Sequence, residues 1–214
     1  IPTSARTAEM CKLTENSFRD VNIAFANELS VICEREGIDV WELIGLANRH
    51  PRVNVLSPGT GVGGHCIAVD PWFIVSRNPE HAKLIKTARV VNDEKPEMVV
   101  EKIAVMAKKK SKILGRPALI GCLGLAFKPD IDDLRESPAL QVTSRLMDLD
   151  YEVVAAEPNV EAVQGITLVD ANTLIKTADV IAVLVAHREF KSTSIKKKLE
   201  ALDSLDFCGL LGVG

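Results

Sequence analysis

Between Pro58 and Phe73 the chain reads PGTGVGGHCIAVDPWF. Four glycines (Gly59, Gly61, Gly63 and Gly64) stand directly ahead of Cys66, and Asp70 follows four residues after it. Glycine lets backbone approach a ligand closely and supplies φ > 0 where a loop needs it. A thiol just beyond such a loop is placed to meet a bound small molecule, and as thiolate it is a nucleophile. An average free cysteine is buried and inert. Cys66 departs from that average because loop glycines, His65 and Asp70 surround it in sequence. Far upstream, Lys12, Asn16 and Arg19 fall at helical spacing, as do Asn16, Asp20 and Ile23, so one helix face presents an ammonium, an amide and a guanidinium in line. On spacing alone that stripe reads as a solvated helix face.

The elements that must position these groups divide the chain in two. From Ala8 to Arg35 there is no Gly or Pro, apolar residues recur at helical period, and Gly37 ends the run. A second helix is predicted from Val40 to Ala47, with Asp39 as N-cap. The basic loop Asn48–Arg52 and an extended piece, Val53–Leu56, lead into the glycines. Further helices are predicted over Ala68–Ser76 (Pro71 in the first turn), His81–Val91 and Pro96–Lys110, the last opened by its proline and closed by lysines. The second half changes period. Ala118–Gly124, Glu152–Ala156 and Val180–Val185 read as strands, and Pro138–Leu149 and Leu174–Ala178 as helices, with Ser137 capping the first of these. Strand alternating with helix argues for a parallel sheet with right-handed crossovers. The fold class is therefore α/β: an all-helical domain over 1–110, then a Rossmann-like parallel-sheet domain over 111–214. Ligands of such sheets sit beyond the carboxyl ends of strands, here the Phe127–Arg135 loop and Glu157-Pro158-Asn159. Gly121 and Gly124 follow a strand, but GxGxxG is absent, so they are not read as a dinucleotide site.

Composition excludes several classes. Of 214 residues 47% are hydrophobic and 26% charged, and the net charge is −3. The short run Lys108–Lys110 reads as solvating a helix end, so no nucleic-acid partner is expected. No apolar run reaches membrane-spanning length, so no membrane partner is expected either. The five cysteines show no CxxC spacing, which suits reduced thiols in a cytoplasm and no metal site. Cys11, Cys33, Cys122 and Cys208 lie on apolar stretches and read as inert. Trp41 and Trp72 read as core, Asp132, Asp133 and Glu136 as solvated charges or partners for Arg135, and His81 and His187 receive no role.

Three motifs, AEMCKLTEN, GVGGHCIAVD and FKPDIDDLRESP, occur in that order. Together they resemble the nucleotide-sugar 6-dehydrogenase family, whose members include UDP-glucose and GDP-mannose dehydrogenases. HCIAVDPWF, with NRHPRVN ahead of it, is similar to the branch that oxidises UDP-N-acetyl-D-mannosamine; UDP-N-acetyl-D-glucosamine and UDP-glucose are the alternative substrates. The resemblance implies NAD-dependent oxidation of a C6 hydroxyl to a carboxylate through a thiohemiacetal and thioester on Cys66, with Lys12, Asn16 and Asp70 as the other catalytic residues. It implies substrate contacts from Arg19, His50, Arg52, Gly63, Phe127 and Lys128, some across a subunit boundary, and a contact from Arg135 to the cofactor's pyrophosphate. It also implies a homodimer through the long first helix. The family's amino-terminal GxGxxG domain does not precede Ala8, and the chain opens without Met. The expectation is a central plus carboxyl-terminal portion, inactive alone, with a non-catalytic UDP-sugar-binding and dimerising module as the alternative class. The finish from Leu205 to Gly214 departs from the family pattern, with Asp206 standing for part of it, which leaves the last strand unassigned.

Overall fold

The computed structural model describes residues 1–212. Four helices come first: α1 (Ala5–Glu36), α2 (Val40–Ala47), α3 (Asp70–Arg77) and α4 (Lys83–Leu114). α1 starts earlier than its apolar period suggests because Ser4 caps it, accepting the Thr7 amide at 3.1 Å, and it ends where Gly37 turns left-handed at φ 68°. α4 is one helix where two are predicted. Pro96 lies inside it, buried, and not at a start. A proline here removes one rung of the helical ladder, since it has no N–H for the Asn92 carbonyl. Packing of α4 along α1 outweighs that loss.

The α1–α4 contact is unusually polar. Asp20, at the centre of α1, is fully buried against Arg89 of α4 at 2.6 Å, and Asn92 donates to the Asp20 carboxylate at 2.8 Å. Burial pushes the Asp20 carboxyl up, while Arg89 and Asn92 pull it down. Asn27 donates to Asn92 at 2.9 Å and accepts the Gly59 amide at 2.9 Å, so the same network ties the start of the glycine loop to both helices.

The second half is a sheet of five parallel strands in the order β3-β2-β1-β4-β5, with β1 Ile120–Leu123, β2 Val153–Ala156, β3 Thr167–Leu168, β4 Val180–Val183 and β5 Ser204–Asp206. In register, Ile120 faces Val153 on one side and Val180 on the other. Helices α5 (Pro138–Asp148), α6 (Ala171–Thr177) and α7 (Thr193–Glu200) make the crossovers. Alternate strand residues point to opposite faces. Ile120, Cys122 and Ala182 therefore pack with α5 and with Val99–Ala107 of α4, while Leu123, Ile181 and Val183 pack with α6 and α7. α4 thus belongs to both halves. β3, α7 and β5 are absent from the sequence expectation. Two residues and three residues are too short to show a period, and α7 is rich in lysine. Trp72 is 38% exposed, against the expectation that it is core, and Cys11, read as inert on an apolar stretch, is exposed. Among the described residues no helix is long and apolar enough to cross a membrane.

Candidate active site

Cys66 sits one turn ahead of α3. Its carbonyl accepts the amides of Asp70 at 2.8 Å and Val69 at 3.1 Å, so the backbone that carries the thiol is also the start of the helix that carries the carboxylate. Asp70 in turn accepts the Asn16 side-chain amide at 2.5 Å, reaching across to α1. Asn16 is buried, and its carbonyl oxygen receives the Lys12 ammonium at 3.5 Å, the long end of hydrogen bonding. Carboxylate, amide and ammonium are therefore joined by side-chain hydrogen bonds across two helices, and Cys66 is tied to them through its backbone carbonyl. The stripe on α1 is not simply a solvated face at this end: Asn16 is spoken for by Asp70, and Asp20, one turn on, by Arg89.

The glycines make a tight joint with the second half. The Gly64 amide donates to the Arg135 carbonyl at 3.2 Å. A Cβ on Gly63 would lie 2.3 Å from the Glu136 carbonyl oxygen and 2.8 Å from the Phe127 Cβ, so only glycine fits there. Gly63 is thus committed to the domain contact.

A cavity of about 390 Å³ opens beside this joint. Ile23 of α1 and Ser57–Gly61 form one wall; Phe127–Pro129 after β1, Leu184–Ala186 after β4, Lys191 and Cys208 form the other. It lies beyond the carboxyl ends of the two strands from which the sheet order runs outward in opposite directions, the switch point where open α/β sheets bind ligands. No carboxylate lines it, and its charged groups are Lys128 and Lys191. The Lys128 ammonium stands 5.5 Å from the centre of the Phe127 ring. Phe127 and Lys128 are thus brought to the cavity, and Lys191 is a lining residue that sequence reasoning missed.

Beneath the cavity Glu157 is buried at the end of β2. Its carboxylate accepts the amides of Leu125 (2.7 Å), Ala126 (3.0 Å) and Asn159 (3.1 Å), and the ring of His187 at 3.0 Å. Burial alone would raise its pKa; the bond from His187 and the amides more than offset that and hold it at about 2. Asp130, His187 and Glu189 bring ligand atoms within 4.8 Å of one another, but His187 Nδ1 already accepts the Asp130 amide at 3.0 Å, so no metal centre is assigned.

The remaining predicted residues stand apart. Arg19 is exposed on α1. His50 and Arg52 are exposed, and Arg52 lines a separate hollow with Phe18 and Phe25 of α1. Arg135 is clamped by Asp133 through Nε (3.0 Å) and Nη2 (2.6 Å), which holds the Asp133 carboxyl at about 2. A dinucleotide needs a cradle of open backbone. Gly121 and Gly124 do not provide one, because a Cβ on either would strike packed side chains, Leu174 at 2.5 Å and Val185 at 2.5 Å. Among the described residues, Arg135 is the exposed group that could meet a dinucleotide's pyrophosphate.

Residues 6–94 match the central domain of the UDP-glucose/GDP-mannose dehydrogenase family, and residues 121–211 match its UDP binding domain. The chain belongs to this family. Among curated relatives it is 61% identical over 198 residues to the UDP-N-acetyl-D-mannosamine dehydrogenase of Campylobacter jejuni, covering 89% of this chain and 47% of that protein. It is 54% identical to the NDP-N-acetyl-D-galactosaminuronic acid dehydrogenase of Ralstonia nicotianae, covering 89% and 45%. Among solved structures, the UDP-D-ManNAc dehydrogenase of Pyrococcus horikoshii superposes with a TM-score of 0.84 at 36% identity, covering 99% of this chain and 50% of that one. The chain spans about half the length of the curated relatives it matches. Within the family's two matched domains, Lys12, Asn16, Cys66 and Asp70 fall in the central one and the Phe127–Lys128 wall in the UDP binding one.

Proposed function

We propose that this chain supplies the nucleophile and the nucleotide-sugar cavity of a cytoplasmic, homodimeric, NAD-dependent dehydrogenase that oxidises the C6 hydroxyl of UDP-N-acetyl-D-mannosamine to the uronic acid. The observation that carries the reading is the side-chain series Lys12–Asn16–Asp70, at 3.5 and 2.5 Å, with the Asp70 amide donating to the backbone carbonyl of Cys66 at 2.8 Å. NAD⁺ supplies hydride acceptance in both oxidations. Between them the Cys66 thiolate adds to the C6 aldehyde; the carbonyl π pair moves to oxygen, which takes a proton, giving a thiohemiacetal. Its oxidation leaves a thioester, and water then breaks the C–S bond, releasing the carboxylate and returning the thiol. This divides one hard conversion into easier steps. Lys12 stabilises or exchanges the proton of the C6 oxygen, Asn16 donates to it, and Asp70 holds Asn16 and orients the water. Phe127 and Lys128 would hold the uridine diphosphate; the family resemblance alone supports Arg19 and the Gly63 backbone at the sugar, and Arg135, held by Asp133, would be the group to meet the cofactor's pyrophosphate.

The homodimer reading rests on α1. Phe18, Phe25 and Ile32 are 69%, 52% and 47% exposed at seven-residue spacing, an apolar seam of the kind helices bury against each other. His50 and Arg52 flank that seam and would serve the partner's site. Five free cysteines among the described residues suit a reducing compartment.

Replacing Cys66 by Ser in the complete enzyme is expected to cut NADH production by about two orders of magnitude or more, as loss of a reacting group does. Turnover at the wild-type rate would remove the nucleophile. UDP-N-acetyl-D-glucosamine and UDP-glucose, run beside the mannosamine epimer, are expected to show lower kcat/KM. A second reading, a UDP-sugar-binding and dimerising module without turnover, is favoured by the lack of a dinucleotide cradle among the described residues. Sustained NADH production by the 214-residue chain would end that reading.

A further inference from the structure

Lys128 and Lys191 reach the same cavity from different segments, the loop after β1 and the 3-10 turn Arg188–Lys191 after β4. Resting on the nucleotide-sugar reading above, we propose that Lys191 is a second cationic contact for the substrate's diphosphate, and that the buried Glu157–His187 pair is the positioning device that sets it beside Lys128.

The two lysine-bearing segments are cross-tied. The Asp130 amide donates to His187 Nδ1 at 3.0 Å, and the Arg188 amide donates back to the Asp130 carboxylate at 2.8 Å. With Nδ1 accepting, the ring proton sits on Nε2 and is given to Glu157 at 3.0 Å. Glu157 also takes the Leu125 and Ala126 amides that open the Lys128 loop. One carboxylate and one imidazole therefore fix the exits of β1, β2 and β4 together. Phe190 is buried and packs edge-on against His187, ring centres 5.4 Å apart, which pins the turn immediately before Lys191.

Charge points the same way. Neither Lys128 nor Lys191 has a carboxylate within ion-pairing distance among the described residues, and none lines the cavity. Two unpaired ammonium groups at one apolar-walled cavity call for a ligand with adjacent anionic groups, and charge-assisted bonds to phosphate oxygens are the strong kind. A nucleoside diphosphate supplies two adjacent phosphates, one for each lysine.

Calorimetric titration of the intact chain with UDP, UMP and uridine tests this. Lys191→Met is expected to weaken UDP about tenfold, UMP less, and uridine not at all, with an unchanged melting temperature because the residue is exposed. His187→Gln is expected to weaken UDP in the wild type but to add little in the Lys191→Met background, since residues acting as a unit are non-additive. Asp130→Gly repeats that cycle from an exposed position whose φ of 63° suits glycine, so the test survives if the buried variant does not fold. UDP binding untouched by Lys191→Met, or an equal loss for uridine, overturns the lysine contact. A full His187 and Asp130 effect persisting without Lys191 overturns the positioning role. A wild-type chain that binds none of the three compounds overturns the nucleotide-sugar reading itself, and this inference with it.

Discussion

At the residue scale, Glu157 is the group whose state is most constrained by its surroundings. Unfolded, it takes up a proton near 4.5; folded, its hydrogen bonds keep it ionised down to about 2. Its contribution to stability is complete above the unfolded value and is lost as pH falls from about 4.5 toward about 2, because the unfolded chain binds the extra proton. The full difference corresponds to about 3 kcal/mol, of which about 2 kcal/mol falls between about pH 6 and about pH 3. Urea unfolding at about pH 6 and about pH 3 should show the wild type losing that much more than Glu157→Gln, which has no proton to gain. A parallel loss in the two proteins would refute the assignment. Residue-scale legibility divides by distance along the chain. Cys66 and Asp70 lie within one turn and were legible as a candidate thiol and carboxylate, whereas the spacing of Lys12 and Asn16 read as a solvated face and only the family resemblance gave them a role. The Asp70–Asn16 bond spans 54 positions, Glu157–His187 spans 30 and Asp20–Arg89 spans 69. Such pairs are joined only by strand order and helix packing, and no local period announces them. His187 therefore received no role, although Glu157-Pro158-Asn159 was visible as a strand exit.

At the element scale, the glycine loop separates into positions that need glycine and positions that tolerate change. Gly59 would meet nothing within 4 Å if given a Cβ, whereas at Gly63 the new atom would be 2.3 Å from a backbone oxygen. Gly63→Ala is therefore expected to destabilise the chain by about 1–3 kcal/mol, as overpacking does, and Gly59→Ala to leave it within about 0.5 kcal/mol. Denaturant midpoints of the two variants decide; equal midpoints would mean that the joint has room to give. The helix and strand positions in the second half followed from apolar runs and the Ser137-Pro138 start. Pro96 misled because a proline is commonest at a helix opening, and what keeps it inside α4 is burial beside Val62, Trp72 and Pro138, a tertiary cause.

At the scale of the whole molecule, the exposed seam on α1 and the hollow holding Arg52 share one face. Placing charge in the seam, as Phe18→Glu with Phe25→Glu, is expected to convert a dimer to monomers in sedimentation velocity while leaving helix content unchanged. The complete enzyme should lose turnover with it if Arg52 serves the partner's site. A dimer that survives both changes would move the interface elsewhere.

α4 has a mechanical meaning for the assembly. It runs 32 residues, about 48 Å, with Arg89 beside Asp20 in its first half and Val99–Ala107 under the sheet in its second. A rod of that length transmits tilt without a slack tether. Any swing that widens the mouth between glycine loop and sheet must twist this shaft or bend it, and the missing rung at Pro96 makes the middle its softest point. On the proposed reading, a ligand that needed a wider mouth would have to work against the stiffness there.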